Sequence, residues 1–124
     1  MNPWQILHFE DDVEDRLMFS MGMKREGFCV IPARTPGDVL RLAKDKRPDA
    51  IVLDVMYYDD LDAGLRLCEE LRRTPDAATA KIVILSNRGD QAARDRGDKV
   101  GADAFLEKGS IETCARKLRD LLQP

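Results

Sequence analysis

The sequence predicts an α/β domain in which a parallel sheet carries helices on both faces. Three observations point there. Short apolar runs alternate with stretches of helical spacing about five times along the 124 residues, and such alternation builds βαβ units. The run Ala50-Ile51-Val52-Leu53 is continuously apolar with β-branched residues, the pattern of a strand buried on both faces. This run and Ile6-Leu7-His8-Phe9 both end on acid, at Asp54 and at Glu10-Asp11-Asp12. Open parallel sheets bind ligands beyond the carboxyl ends of their strands, so these carboxylates fall where such a fold does its chemistry.

Taken in order, the first strand, Ile6 to Phe9, leads into Asp12, which is placed to cap a helix with Asp15 three residues on. The helix runs from Val13 to about Arg25 or Glu26. Leu17, Met18 and Met21 are among its apolar positions, Phe19 and Met23 less regularly, and Gly27 stops it. Phe28 to Ala33 is the second strand. Pro32 within it lacks an N–H and predicts a sheet edge. Thr35 and Pro36 open a second helix bearing Val39, Leu40 and Ala43, with a basic last turn from Lys44 to Arg47. Pro48 precedes the Asp54 strand. An acidic loop, Val55 to Gly64, leads to a helix with Leu65, Cys68 and Leu71 on one stripe. Lys81 to Ser86 is the fourth strand. Residues 88–100 have weak helical spacing, ended by Gly101. Asp103 to Glu107 is the short fifth strand, before Lys108. Ser110 then caps a last helix defined by Ile111, Ala115, Leu118 and Leu122.

Composition places the chain among ordinary soluble domains. Hydrophobic residues make up 44% and charged residues 35%, and 124 residues suit one domain, spanning 1–124, with a real core. A net charge of -3 offers no footprint for nucleic acid or an anionic membrane surface. No apolar stretch is long enough to span a bilayer, and the N-terminus shows no secretory pattern, so a cytoplasmic location is expected. Cys29, Cys68 and Cys114 are widely spaced and odd in number, which fits reduced thiols better than a disulfide framework or a zinc site.

Four strand ends carry polar groups: Glu10 with Asp11, Asp54, Ser86 and Lys108. In a parallel sheet these ends share one edge. Crowded carboxylates repel and call for a cation or shifted pKa values. Hard oxygen ligands suit Mg2+. A Mg2+ site beside a lysine and a hydroxyl can receive a phosphoryl group, and a carboxylate nucleophile can form an aspartyl-phosphate. His8, inside a buried strand, reads as a packed side chain.

The segments Ile6-Leu7-His8-Phe9-Glu10-Asp11-Asp12, Pro48-Asp49-Ala50-Ile51-Val52-Leu53-Asp54, Ile82-Val83-Ile84-Leu85-Ser86 and Gly101-Ala102-Asp103-Ala104-Phe105-Leu106-Glu107-Lys108 occur in this order and at separations that resemble the receiver domain of two-component response regulators, essentially end to end. The resemblance implies a doubly wound five-stranded sheet of the flavodoxin-like order 2-1-3-4-5 with about five helices, which puts the Pro32 strand at an edge. It implies Asp54 as phosphoacceptor, Glu10 and Asp11 as the metal-binding acid pair, and the backbone carbonyl of Met56 as a further Mg2+ ligand. Ser86 would move toward the phosphoryl group, Phe105 would be the aromatic switch, and Lys108 would pair with phosphoryl oxygens. It further implies a histidine kinase or phosphotransfer protein as donor, and an output partner docking on helix 88–100, the last strand and the last helix. Such a chain is not an enzyme beyond its own phosphorylation and dephosphorylation. With no output domain after the last helix, a stand-alone receiver is expected, unless the chain is cut from a larger regulator.

The chain departs from the family pattern in places. Tyr58 stands where a proline is usual, in a loop one residue longer than the common one, and Asn87 stands where a small residue is common. Gly109 follows Lys108 in place of a cis proline, which predicts a trans peptide bond there and a displaced loop. Met56 and Arg88 are expected to tune the lifetime of the phosphorylated form. Three rivals are a pseudo-receiver that binds partners without phosphorylation, a Mg2+-dependent phosphohydrolase, and a flavin carrier. The phosphohydrolase pattern has a second acid two places past the nucleophile, where this chain has Met56. Glu10-Asp11-Asp12 would repel a flavin phosphate.

Overall fold

The structure, a computed structural model, describes residues 3–54, 62–86, 95 and 99–123. Its elements are β1 (Gln5–Phe9), α1 (Val13–Arg25), β2 (Cys29–Ala33), α2 (Pro36–Lys46), β3 (Ala50–Asp54), α3 (Ala63–Arg73), β4 (Lys81–Ser86), β5 (Ala104–Glu107) and α4 (Ile111–Leu122). The five strands are all parallel, in the order β2-β1-β3-β4-β5. Strand β2 lies at an edge, so Pro32 withholds no N–H from an inner ladder.

Strands β3 and β4 occupy the middle because they are apolar on both faces. All of β3, and β4 from Ile82 to Ser86, is buried. Alternate residues then feed two cores. Leu7, Phe9, Ile51, Leu53, Ile82 and Ile84 pack under α2 and α3. Ile6, Ala50, Val52, Val83 and Leu85 pack under α1 and α4.

Helix starts follow local chemistry. Asp12, Thr35 and Ser110 each accept a hydrogen bond from the backbone N–H three residues on, at 2.9, 3.1 and 3.1 Å. Helix α1 ends with Gly27 at φ 95°, a conformation that costs glycine no Cβ clash. Arg47, at φ 45°, closes α2 in the same left-handed region.

Helix α1 turns only two of its apolar positions inward. Leu17, Met18 and Met21 are exposed, whereas the irregular pair Phe19 and Met23 is buried. Phe19 stacks on His8 of β1, with ring centroids 3.7 Å apart, and this contact helps choose the inward face. The cysteines are free, as expected; Cys68 and Cys114 are buried and Cys29 is exposed. Burial pushes the thiols of Cys68 and Cys114 up to about 11 and about 12, so both stay protonated. No cis peptide bond occurs among the described residues, so Lys108–Gly109 is trans as expected. Most of the helix expected over 88–100 lies outside the described residues, as does Asn87.

Candidate functional site

Parallel strands bring their carboxyl ends to one edge, and the site forms there. Glu10 follows β1, and its N–H donates to the Ala33 carbonyl at 3.0 Å, which continues the β1–β2 ladder for one residue. Asp54 is the last residue of β3. Ser86 ends β4, and its carbonyl accepts from the Lys108 N–H at 2.7 Å. That bond carries the β4–β5 pairing past Glu107 and turns Lys108 toward the acids.

The Lys108 ammonium bridges two carboxylates. Its Nζ donates to Glu10 Oε1 at 2.6 Å and to Asp54 Oδ2 at 2.7 Å. Glu10 and Asp54 are buried, at 2% and 7% exposure, so an ammonium between them offsets much of the cost of burying charge. Asp15 Oδ2 stands 4.0 Å from the same Nζ. Carboxylate oxygens of Glu10, Asp11 and Asp54 lie within 4.8 Å of one another. Three hard oxygen donors that close, facing one resident ammonium, fit a small divalent cation.

Electrostatics follow from burial. Burial pushes the Glu10 carboxyl up to about 7; the Asp54 charge acts in the same direction, and the Lys108 bond acts against both. For Lys108, burial lowers the pKa, but hydrogen bonds to Asp54 and Glu10 outweigh it and hold the ammonium above its ordinary value.

The structure thus brings together Glu10, Asp11, Asp54 and Lys108, with Ser86 buried at the next strand end. Phe105 is half-buried on β5, paired with Ile84 and packed on the core under α2 and α3. Met56, Tyr58 and Arg88 lie outside the described residues.

Sequence reasoning missed Arg16. Its Nη1 donates to the backbone carbonyls of Glu10 at 2.9 Å and Asp11 at 3.3 Å, so one guanidinium grips the loop that carries the acid pair. The available signal was a cation one helical turn past the Asp12 cap, in reach of that loop.

Comparison with known proteins finds relatives for the chain as a whole. A family model described as the response regulator receiver domain matches residues 6–119. The response regulator MprA of Mycobacterium sp. (strain KMS) is 35% identical over 122 residues, 98% of this chain and 51% of the relative. The transcriptional regulatory protein AfsQ1 of Streptomyces coelicolor is 35% identical over 103 residues, 83% of this chain and 44% of the relative. The chain therefore spans about half the length of these curated relatives. Among solved structures, the chemotaxis response regulator CheY4 of Vibrio cholerae superimposes with a TM-score of 0.86 at 24% identity, covering 97% of this chain and 99% of that one.

Proposed function

Because this chain belongs to the response regulator receiver domain family, we propose that it is a phosphorylation switch in which Asp54 accepts a phosphoryl group. The observation that carries the reading is the Lys108 ammonium held between the buried carboxylates of Asp54 and Glu10. The donor is a phosphohistidine on a histidine kinase or phosphotransfer protein, as two-component membership implies.

In the transfer, an Asp54 carboxylate oxygen attacks phosphorus. The bond from phosphorus to the donor breaks, its electron pair leaves with the donor group, and an acyl phosphate remains on Asp54. Lys108 is already within hydrogen-bonding distance of the nucleophile, so its ammonium can follow charge onto the phosphoryl oxygens. Ser86 supplies a hydroxyl from the neighbouring strand end. Arg16 keeps the Glu10–Asp11 loop in place. A Mg2+ ion held by Glu10, Asp11 and Asp54 would neutralise negative charge at the reacting group. Phe105 and the surface of β5 and α4 then pass the change to an output partner.

Intact mass after incubation with Mg2+ and acetyl phosphate tests the reading. The natural chain gains one phosphoryl group only when Mg2+ is present, and Asp54→Ala gains none. No gain in the natural chain, with no Mg2+ bound, overturns the proposal in favour of a binding module.

Glu10 also sets an expected pH dependence for Mg2+. Metal needs the carboxylate, and Glu10 releases its proton near pH 7 in the metal-free fold. Affinity is therefore expected to be near its maximum at about pH 8 and to fall about tenfold by pH 6. An acid with an ordinary glutamate pKa would leave affinity level over that window. Calorimetric titration at the two pH values separates these outcomes.

A further inference from the structure

Helix α1 leaves an apolar face uncovered. Val13, Leu17, Met18 and Met21 are each more than half exposed, and the exposed large hydrophobic side chains among the described residues are all on this helix. At about 100° per residue, these four share an arc of about 140° with Glu14, Lys24 and Arg25, opposite buried Phe19 and Met23. The outer stripe of a surface helix is ordinarily polar. A contiguous apolar patch rimmed by charge marks a contact surface. The charges are ordered along the helix, with Glu14 and Asp15 in the first turn and Lys24 and Arg25 in the last. Glu14, Lys24 and Arg25 form no salt bridge among the described residues.

We propose that this face joins two copies of the chain, with α1 packed antiparallel on the partner's α1 about a twofold axis at the level of Phe19. Glu14 and Lys24 lie at equal distances along the chain on either side of Phe19, and so do Leu17 and Met21. An antiparallel pair therefore sets Glu14 beside the partner's Lys24 and Leu17 beside the partner's Met21. Each pairing occurs twice, because a twofold contact uses the same patch on both copies. A parallel pair would instead set acid on acid and base on base along the rim. One face thus carries both halves of its own complement, apolar against apolar and acid against base, which favours a second copy over a partner of another sequence. The methionines suit the contact, since unbranched thioethers adapt to an opposing surface. The contact is small. A helix of 13 residues is about 20 Å long, and a pair of them buries roughly 1,000 Å² in total, at the low end for a specific interface. Association is therefore weak, with a Kd on the order of 100 µM.

Sedimentation equilibrium of the intact chain from about 10 µM to about 1 mM tests the proposal. A monomer–dimer equilibrium with that Kd is expected. Leu17→Glu buries a charge twice per dimer and should raise the Kd at least tenfold. Glu14→Lys and Lys24→Glu should each raise it about fivefold by turning attraction into repulsion. The double variant Glu14→Lys with Lys24→Glu restores opposite charges across the axis and should return the Kd to near its natural value. The proposal is overturned if the chain stays monomeric at the highest concentration, which would leave the face to a partner of another sequence. It is overturned if the dimer survives Leu17→Glu, since another face then makes the contact. It is overturned too if the double variant associates no better than the single ones, since the helices then do not pair in this antiparallel register. Leu17 is solvent-facing, so its variant should fold; circular dichroism checks this, and the charge series decides if it does not. The readout is mass in solution and involves no phosphoryl group, so its failure leaves the reading of Asp54 untouched.

Discussion

Lys108→Met slows phosphorylation by acetyl phosphate about 10²–10³-fold, the effect of deleting one preorganised donor at a developing anion. The ammonium sits 2.7 Å from Asp54 Oδ2 before any phosphoryl group arrives, so little reorganisation remains for the reaction step. Methionine keeps the bulk and removes the charge. The same variant is expected to bind Mg2+ as tightly as the natural chain or tighter. The ammonium it loses is bonded to two of the three clustered acids and competes there with a metal. A time course by intact mass, paired with a Mg2+ titration, checks both halves. A rate within tenfold of the natural chain would remove Lys108 from the proposed chemistry.

Arg72→Ala lowers the free energy of unfolding by about 2–4 kcal/mol, a large effect for a residue far from the acids. Its guanidinium donates to the carbonyls of Ala80 at 2.7 Å, Gly101 at 2.8 Å and Ala78 at 3.0 Å, and to Asp103 Oδ2 at 2.6 Å. The same Asp103 oxygen accepts the Ile82 N–H at 2.8 Å. One side chain thus fastens the end of α3, the segment entering β4 and the turn into β5. Alanine strands several acceptors at once. Arg72→Lys should recover less than half of the loss, because an ammonium lacks the planar fork that reaches all four groups. Arg72 acts at the amino ends of the strands and the proposed acceptor, Asp54, lies at their carboxyl ends, so the folded variant should phosphorylate at the natural rate. Urea unfolding gives the stability, and a loss under about 1 kcal/mol would contradict the staple.

How far these features were legible in the sequence depended on what each residue contacts. Strands β3 and β4 were readable because burial on both faces leaves a continuous apolar run. Asp12, Thr35 and Ser110 were readable as caps because capping is a local, three-residue interaction. The edge position of β2 followed from the missing N–H of Pro32. Glu10, Asp54 and Lys108 stood out because polar groups ended apolar runs, and the parallel sheet brings such ends together. The α1 face was not legible. Leu17, Met18 and Met21 are the more regular set in the sequence, yet tertiary contacts such as the Phe19 stack on His8 turn Phe19 and Met23 inward. Arg16 and Arg72 were missed because they bind backbone carbonyls, and a carbonyl leaves no residue-specific mark in a sequence.

The central claim is that Asp54 is the atom-level destination of the phosphoryl group, among several acids crowded at the same edge. Borohydride reduction after acetyl phosphate treatment tests it most directly, since an aspartyl acyl phosphate is reduced to homoserine and a free carboxylate is not. Peptide sequencing by mass is expected to find homoserine at position 54, dependent on Mg2+. Reduction at Glu10, Asp11, Asp12 or Asp15 with Asp54 intact would contradict the account.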